Sequence, residues 1–286
     1  MATKIKTNDI RTRSKEFLLN QKLIQERLGL TDNEIKQIKK QLPDKKYYEF
    51  GHHMFNSNKF ENLEYEWNNW QHWILWHYPV YDLNKFNRLI LQNAKYIKNK
   101  RILDIGCNLG ILSLICLHLN CKKVTGFDIR ENKLKLAEFI CKKYGSDRHE
   151  FKKVDIQNYA DLLEVSQKID TIIFAGVIYH VPNHYDILRT LSNSKANAII
   201  IQNRDSEQFW NNPKPNIAWT TENTENPQNA FDQNLKEVLV GRPNQAWINH
   251  AMKELGWKLV KHEQYWHRMG SNDKTNHPRS FAVFER

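Results

Sequence analysis

From position 101 to about 202, short apolar runs alternate with amphipathic stretches, and this alternation constrains the fold more than any other feature of the chain. Runs of about five apolar residues are too short for buried helices, whereas repeated strand–helix units build a parallel sheet covered on both faces. The pattern predicts strands over 101–105, 123–128, 150–154, 171–176 and 198–202. Helices are predicted over 110–119, 132–144, 159–165 and 183–191, with another over 246–255. Two last strands, 257–265 and 280–284, are expected to form a terminal antiparallel pair. Residues 203–243 are rich in Asn, Pro and Thr with little periodicity, and read as a long loop or insertion.

Residues 1–95 read as a helical, basic and aromatic-rich extension, and 96–286 as the α/β domain. Phe17, Leu18, Ile24 and Leu28 recur near helical spacing and Gly29 can stop that helix. Thr31-Asp32-Asn33-Glu34 is a capping-box pattern that opens a second helix, closed by Pro43. Trp67, Trp70 and Trp73 would form one stripe on a helix, either packed on the core or serving as a lid or stacking surface. The first 46 residues hold twelve basic and six acidic side chains, about half of the chain's net charge of +11. Such an arm suits a polyanion such as RNA. A lysine surplus (30 against 13 arginines) is equally a solvated surface.

The longest apolar stretch, Ile111 to Leu119, is about half the ~20 residues a bilayer crossing needs. The first residues carry no apolar signal segment. Cys107, Cys116, Cys121 and Cys141 cluster inside predicted strand and helix, as buried thiols of a reducing compartment would. A cytoplasmic protein without membrane contact is expected.

The chemistry concentrates where predicted strands end. Ile102-Leu103-Asp104-Ile105-Gly106-Cys107-Asn108-Leu109-Gly110 runs from a buried strand through a glycine-bearing turn into a helix start, whose N–H groups suit a polar ligand head. The spacing is not the G-x-G-x-x-G of dinucleotide binding. Val124-Thr125-Gly126-Phe127-Asp128 ends a second strand on an acid able to accept both ribose hydroxyls, and Ile129 follows. Lys153-Val154-Asp155-Ile156 ends the third. Gly176-Val177-Ile178-Tyr179-His180 ends the fourth, and no cysteine there supports a covalent route. His180 and His184 are candidate bases. Pro182 between them argues against a metal pair on one helix face. His180 reads either as a catalytic base or as a histidine that fixes a loop by hydrogen bonding.

The Asp-x-Gly-x-x-x-Gly arrangement resembles motif I of the class I, Rossmann-like S-adenosylmethionine-dependent methyltransferases. That resemblance implies a three-layer, seven-stranded sheet, mostly parallel with an antiparallel last strand, and a methyl-transfer reaction. It implies cofactor contacts from Asp104, Gly106, Cys107, Asn108 and Gly110 in the first motif. Asp128 with Ile129, Asp155 with Ile156, and Gly176 would supply the rest, leaving Tyr179 and His180 for catalysis. Gly176-Val177-Ile178-Tyr179-His180, Tyr65-Glu66-Trp67-Asn68-Asn69-Trp70 and His277-Pro278-Arg279-Ser280-Phe281 are similar to segments of the tRNA uridine-5-oxyacetic acid carboxymethyltransferases. In that family a tyrosine and a late arginine bind the carboxylate of carboxy-S-adenosylmethionine, which implies Tyr179 and Arg279 here. Motif I departs from that family, having Cys-Asn-Leu-Gly where Cys-Gly-x-Gly is usual. Methyl transfer, with tRNA or other RNA as acceptor, is the expectation. Transfer to a small molecule in an enclosed pocket, or carboxymethyl transfer to a tRNA wobble uridine, is the alternative.

Overall fold

The computed structural model describes residues 88–223, 236–268 and 276–286. The two N-terminal helices and the tryptophan stripe expected above lie outside these residues.

Seven strands form one sheet: β1 (Arg101–Ile105), β2 (Lys123–Asp128), β3 (His149–Lys153), β4 (Thr171–Ala175), β5 (Ala198–Arg204), β8 (Lys258–Arg268) and β9 (Asn276–Glu285). Their spatial order is β3-β2-β1-β4-β5-β9-β8. The first five pair in parallel, and β9 runs antiparallel to both β5 and β8. Helices α1 (Ile111–His118), α2 (Glu131–Tyr144), α3 (Tyr159–Ser166), α4 (His184–Ser192) and α5 (Gln245–Glu254) complete the three layers.

Strand alternation divides the apolar residues between two cores. Ile102, Val124, Ile173, Ile200, Phe281 and Val283 pack with residues of α1, α2 and the buried segment Leu89, Ile90 and Ile97. Leu103, Ile105, Phe127, Phe174, Ile199 and Phe284 pack on the other face with residues of α3, α4 and α5. Both faces are covered, so the central strands read as unbroken apolar runs. At about 25 cal/mol per Å² of apolar surface removed from water, these two layers hold the domain together. The four cysteines are buried and free. Among the described residues, no helix is long and apolar enough to cross a membrane.

The sheet order, the parallel core and the reversed β9 match the expected fold. Three details correct the sequence reading. β3 ends at Lys153, so Asp155 lies in the loop beyond it. β5 continues to Arg204, and both terminal strands are longer than expected. The supposed loop at 203–243 contains a two-stranded antiparallel hairpin, β6 (Ile217–Asn223) with β7 (Glu237–Pro243). Its base is tied down by Asn244, whose side chain caps α5 by accepting from Trp247 N–H at 2.9 Å and donates to the Asn212 and Lys214 carbonyls.

Candidate active site

The first loop is tightly made. Gly106, Asn108 and Gly110 have φ of 68°, 51° and 74°. A Cβ on Gly106 would sit 2.1 Å from Cγ2 of Val177, and one on Gly110 would sit 2.8 Å from Cβ of Ala137. The turn therefore packs directly on the segment after β4. Asp104, 1% exposed, accepts from the Ser113 hydroxyl at 2.7 Å, which joins β1 to α1. Cys107 spends its N–H on the Phe127 carbonyl (2.7 Å) and its carbonyl on Gly110 N–H (2.8 Å). Its thiol lies in the packing against Gly126, and burial pushes it well above the ordinary thiol range. Cys107 thus shapes the loop. Oδ1 of Asn108 is buried with no hydrogen-bond partner, as an acceptor facing a ligand's donor would be.

Asp128 is buried at the end of β2. Oδ2 accepts from Asn108 N–H (3.1 Å) and Arg130 Nη2 (2.8 Å), and Oδ1 from Arg130 N–H (3.0 Å) and Nε (2.8 Å). Four donors fill the roughly four acceptor positions of a carboxylate. Arg130, two residues on, had no signal of its own in the sequence. Ile129 is half-buried, Ile156 is buried, and the Asp155 carboxylate accepts Gln157 N–H at 2.9 Å. Gly176 donates to the Gln202 carbonyl and holds the end of β4 beside β5.

After β4, a short 3-10 turn (Ile178–His180) brings up the other candidates. Tyr179 is 7% exposed. Its hydroxyl accepts from Arg279 Nη1 at 2.9 Å, and the guanidinium carbon lies 5.1 Å from the ring centroid. The tyrosine and the late arginine singled out from sequence are thus in contact, 100 positions apart. His180 packs against Tyr179 with centroids 4.3 Å apart and the rings tilted by 46°, and its Nδ1 lies 2.6 Å from Oε2 of Glu222 on β6. A carboxylate only accepts, so Nδ1 donates, and whenever the ring is neutral its acceptor nitrogen is Nε2. Glu222 escaped the sequence reading because its strand was taken for loop. The Val238-Leu239-Val240 run opposite it was the available signal.

His184 has a different part. It is 2% exposed, donates from Nε2 to the Gly241 carbonyl at 2.9 Å, and lies beside Trp219 and Trp247. Burial lowers its pKa, so it stays neutral and pins the hairpin to α4.

Asp205, just past β5, is 2% exposed and accepts from Ser280 Oγ (3.1 Å) and Asn203 Nδ2 (3.0 Å). Burial pushes its carboxyl up to about 6, against the pull of those bonds and of Arg279. Between that value and the ordinary Asp value near 4, the folded chain binds a proton that the unfolded chain does not. Stability should therefore rise by about 1 kcal/mol from this group as pH falls from about 7 to about 5. Unfolding midpoints measured across that range should show the rise in the wild type, and Asp205→Asn should flatten it.

Comparison with known proteins fits this geometry. Residues 97–268 match the family described as "Methyltransferase domain". A tRNA U34 carboxymethyltransferase of Nautilia profundicola is 35% identical over 95 residues, covering 33% of this chain and 30% of that one. A ubiquinone biosynthesis O-methyltransferase of Dechloromonas aromatica is 26% identical over 110 residues, 38% of this chain and 46% of that one. The chain spans about half or less of the length of these curated relatives. The crystal structure of the N-terminal domain of EvdMO1 with SAH bound superposes with a TM-score of 0.51 at 17% identity, covering 70% of this chain and 80% of that one, and shares the fold. With the family match covering more than half of its length and the sheet in the order described, the chain belongs to the class I S-adenosylmethionine-dependent methyltransferases.

Proposed function

We propose that the chain transfers a methyl group from S-adenosylmethionine to an acceptor that gives up a proton, and that the His180–Glu222 pair is the observation carrying this reading. When bound, the cofactor supplies a sulfonium-bound methyl group as electrophile. The protein's share is then proximity, orientation and proton handling. The loop from Asp104 to Gly110 fits such a group, since Asn108 keeps a buried acceptor unmet. Asp128 would take the ribose hydroxyls if Arg130 gives up part of its hold. Asp155 and Ile156 would line the adenine side. His180 would take the acceptor's proton at Nε2, with Glu222 stabilising the imidazolium.

The hairpin carrying Glu222 favours an enclosed small acceptor. RNA, drawn in by the basic residues 1–46, is the other acceptor this chain would suit. The Tyr179–Arg279 contact favours a second reading, in which the donor carries a carboxylate and the product is a carboxymethylated tRNA uridine. A cytoplasmic setting goes with either acceptor.

Calorimetry with S-adenosylhomocysteine tests the first reading. The wild type should bind it, Asp128→Asn should lose about 1–3 kcal/mol, and His180→Asn should bind as the wild type does. No binding by the wild type would sink the reading. Preference for the carboxylated donor in competition would replace methyl by carboxymethyl transfer.

A further inference from the structure

Two kinds of donor meet the Asp128 carboxylate. The backbone N–H groups of Asn108 and Arg130 reach Oδ2 and Oδ1 at 3.1 and 3.0 Å. The remaining position on each oxygen is taken by the Arg130 side chain, with Nε on Oδ1 and Nη2 on Oδ2, both at 2.8 Å. A ribose bound at this carboxylate brings two neighbouring hydroxyls, one donor for each oxygen. The guanidinium fork therefore stands where those hydroxyls would bind.

The main chain at Arg130 is fixed while its side chain is free to change rotamer. Arg130 is the N-cap of α2, and its carbonyl accepts from Lys133 and Leu134 N–H at 3.0 and 3.2 Å. None of these bonds involves the guanidinium, so the arginine can swing without unwinding the helix. Its side chain is 16% exposed against 3% for Asp128, which gives the arginine, and not the aspartate, a way to solvent. A buried carboxylate stripped of donors is costly, so binding a nucleoside here means exchanging one pair of donors for another. Hydroxyls are neutral donors and bind a carboxylate more weakly than a bidentate guanidinium does. The arginine resists the exchange, and the rest of the nucleoside has to drive it.

We propose that Arg130 is an internal competitor of the cofactor: it holds Asp128 until a nucleoside's vicinal hydroxyls displace it, and it returns to Asp128 as S-adenosylhomocysteine leaves. The apparent affinity for the nucleoside is then the intrinsic affinity scaled by the fraction of molecules in which the arginine has swung away. Re-formation of the pair favours release of the product. This regulation rests on the assignment of Asp128 to the ribose, and the test keeps the two apart.

The test is calorimetry with S-adenosylhomocysteine on the full chain, with thermal unfolding measured before the nucleoside is added. Arg130→Met removes the side-chain donors and should bind S-adenosylhomocysteine at least about fivefold more tightly than the wild type, with a lower unfolding midpoint in the absence of ligand. Arg130→Gln keeps one neutral donor, so it should shift both readings the same way by less and serves if the methionine variant does not fold. Lys135→Gln, which removes an exposed lysine on the same helix, should change neither. Adding Asp128→Asn to either arginine variant should erase the gain in affinity. Wild-type binding with no gain, or with a loss, in the arginine variants would overturn the competitor and leave the ribose assignment standing. A gain that survives Asp128→Asn would overturn both. Binding by an arginine variant where the wild type shows none would uphold both, and binding by none of these proteins would bring both down.

Discussion

Gly106→Ala should destabilise the fold by about 2–5 kcal/mol, the sum of a strained backbone and an overfilled contact. The φ of 68° places this residue in the left-handed region, which costs a non-glycine residue about 1–2 kcal/mol. The new methyl would lie 2.1 Å from Cγ2 of Val177, too close to survive without movement of the chain. Overpacking of this kind adds roughly 1–3 kcal/mol. Gly256 separates the two effects. Its φ is 82°, yet a Cβ there meets no atom within 4 Å, so Gly256→Ala should show the strain alone. Thermal unfolding of both variants, with Val177→Ala added to Gly106→Ala, completes the comparison. The double variant should recover the steric part and keep the strain, beyond whatever Val177→Ala costs alone. Equal losses in the two glycine variants would mean that the first and fourth loops are not locked together as described.

That lock shows how far the sequence could be read. Gly106 was legible because a glycine between a buried strand and a helix start marks a tight turn. The second demand on it, from Val177 some 70 positions away, was invisible because no local pattern records which loops will touch. β1 and β2 emerged with the observed bounds since each is an apolar run with abrupt polar ends and both faces buried. Asp128 was legible as a strand-end acid, but its occupation by Arg130 depends on a side-chain geometry that two residues of spacing do not fix.

The hairpin failed for a different reason. The Asn-, Pro- and Thr-rich composition of 203–243 outweighed a weak alternation within it. β6 has only Glu222 buried along its length, so a period-2 apolar signal was almost absent. A buried acid in a half-exposed strand makes sense only with its partner, and His180 lies 42 positions earlier. The same contact explains why two histidines four residues apart could not be ranked from sequence. His184 faces a carbonyl and a tryptophan pair, His180 faces a carboxylate, and only the fold assigns these neighbours.

Methyl transfer should fall by about 10²–10⁴-fold in His180→Asn, the usual contribution of a positioned general base. The assay is S-adenosylhomocysteine release from S-adenosylmethionine, with a panel of small acidic acceptors and with tRNA. Asparagine can fill much of the ring's space and still donate toward Glu222, but it cannot take a proton. Glu222 acts one step away, as a positioning residue: it holds Nδ1–H and so keeps Nε2 as the accepting nitrogen. Glu222→Gln should therefore give an intermediate loss, because the amide can still accept from Nδ1–H yet no longer offsets a charge on the ring. S-adenosylhomocysteine affinity should stay at the wild-type level in both variants, since neither residue belongs to the first, second or third loop. The split between kcat and KM separates chemistry from architecture: loss of a general base should lower kcat with KM little changed, and a merely structural histidine would not lower kcat selectively. Turnover within about threefold of wild type in His180→Asn, accompanied by a lowered unfolding midpoint, would make the pair a clamp that fastens the hairpin to the end of β4, far short of the roughly 3 kcal/mol or more of barrier lowering that a general base at this position is asked to supply.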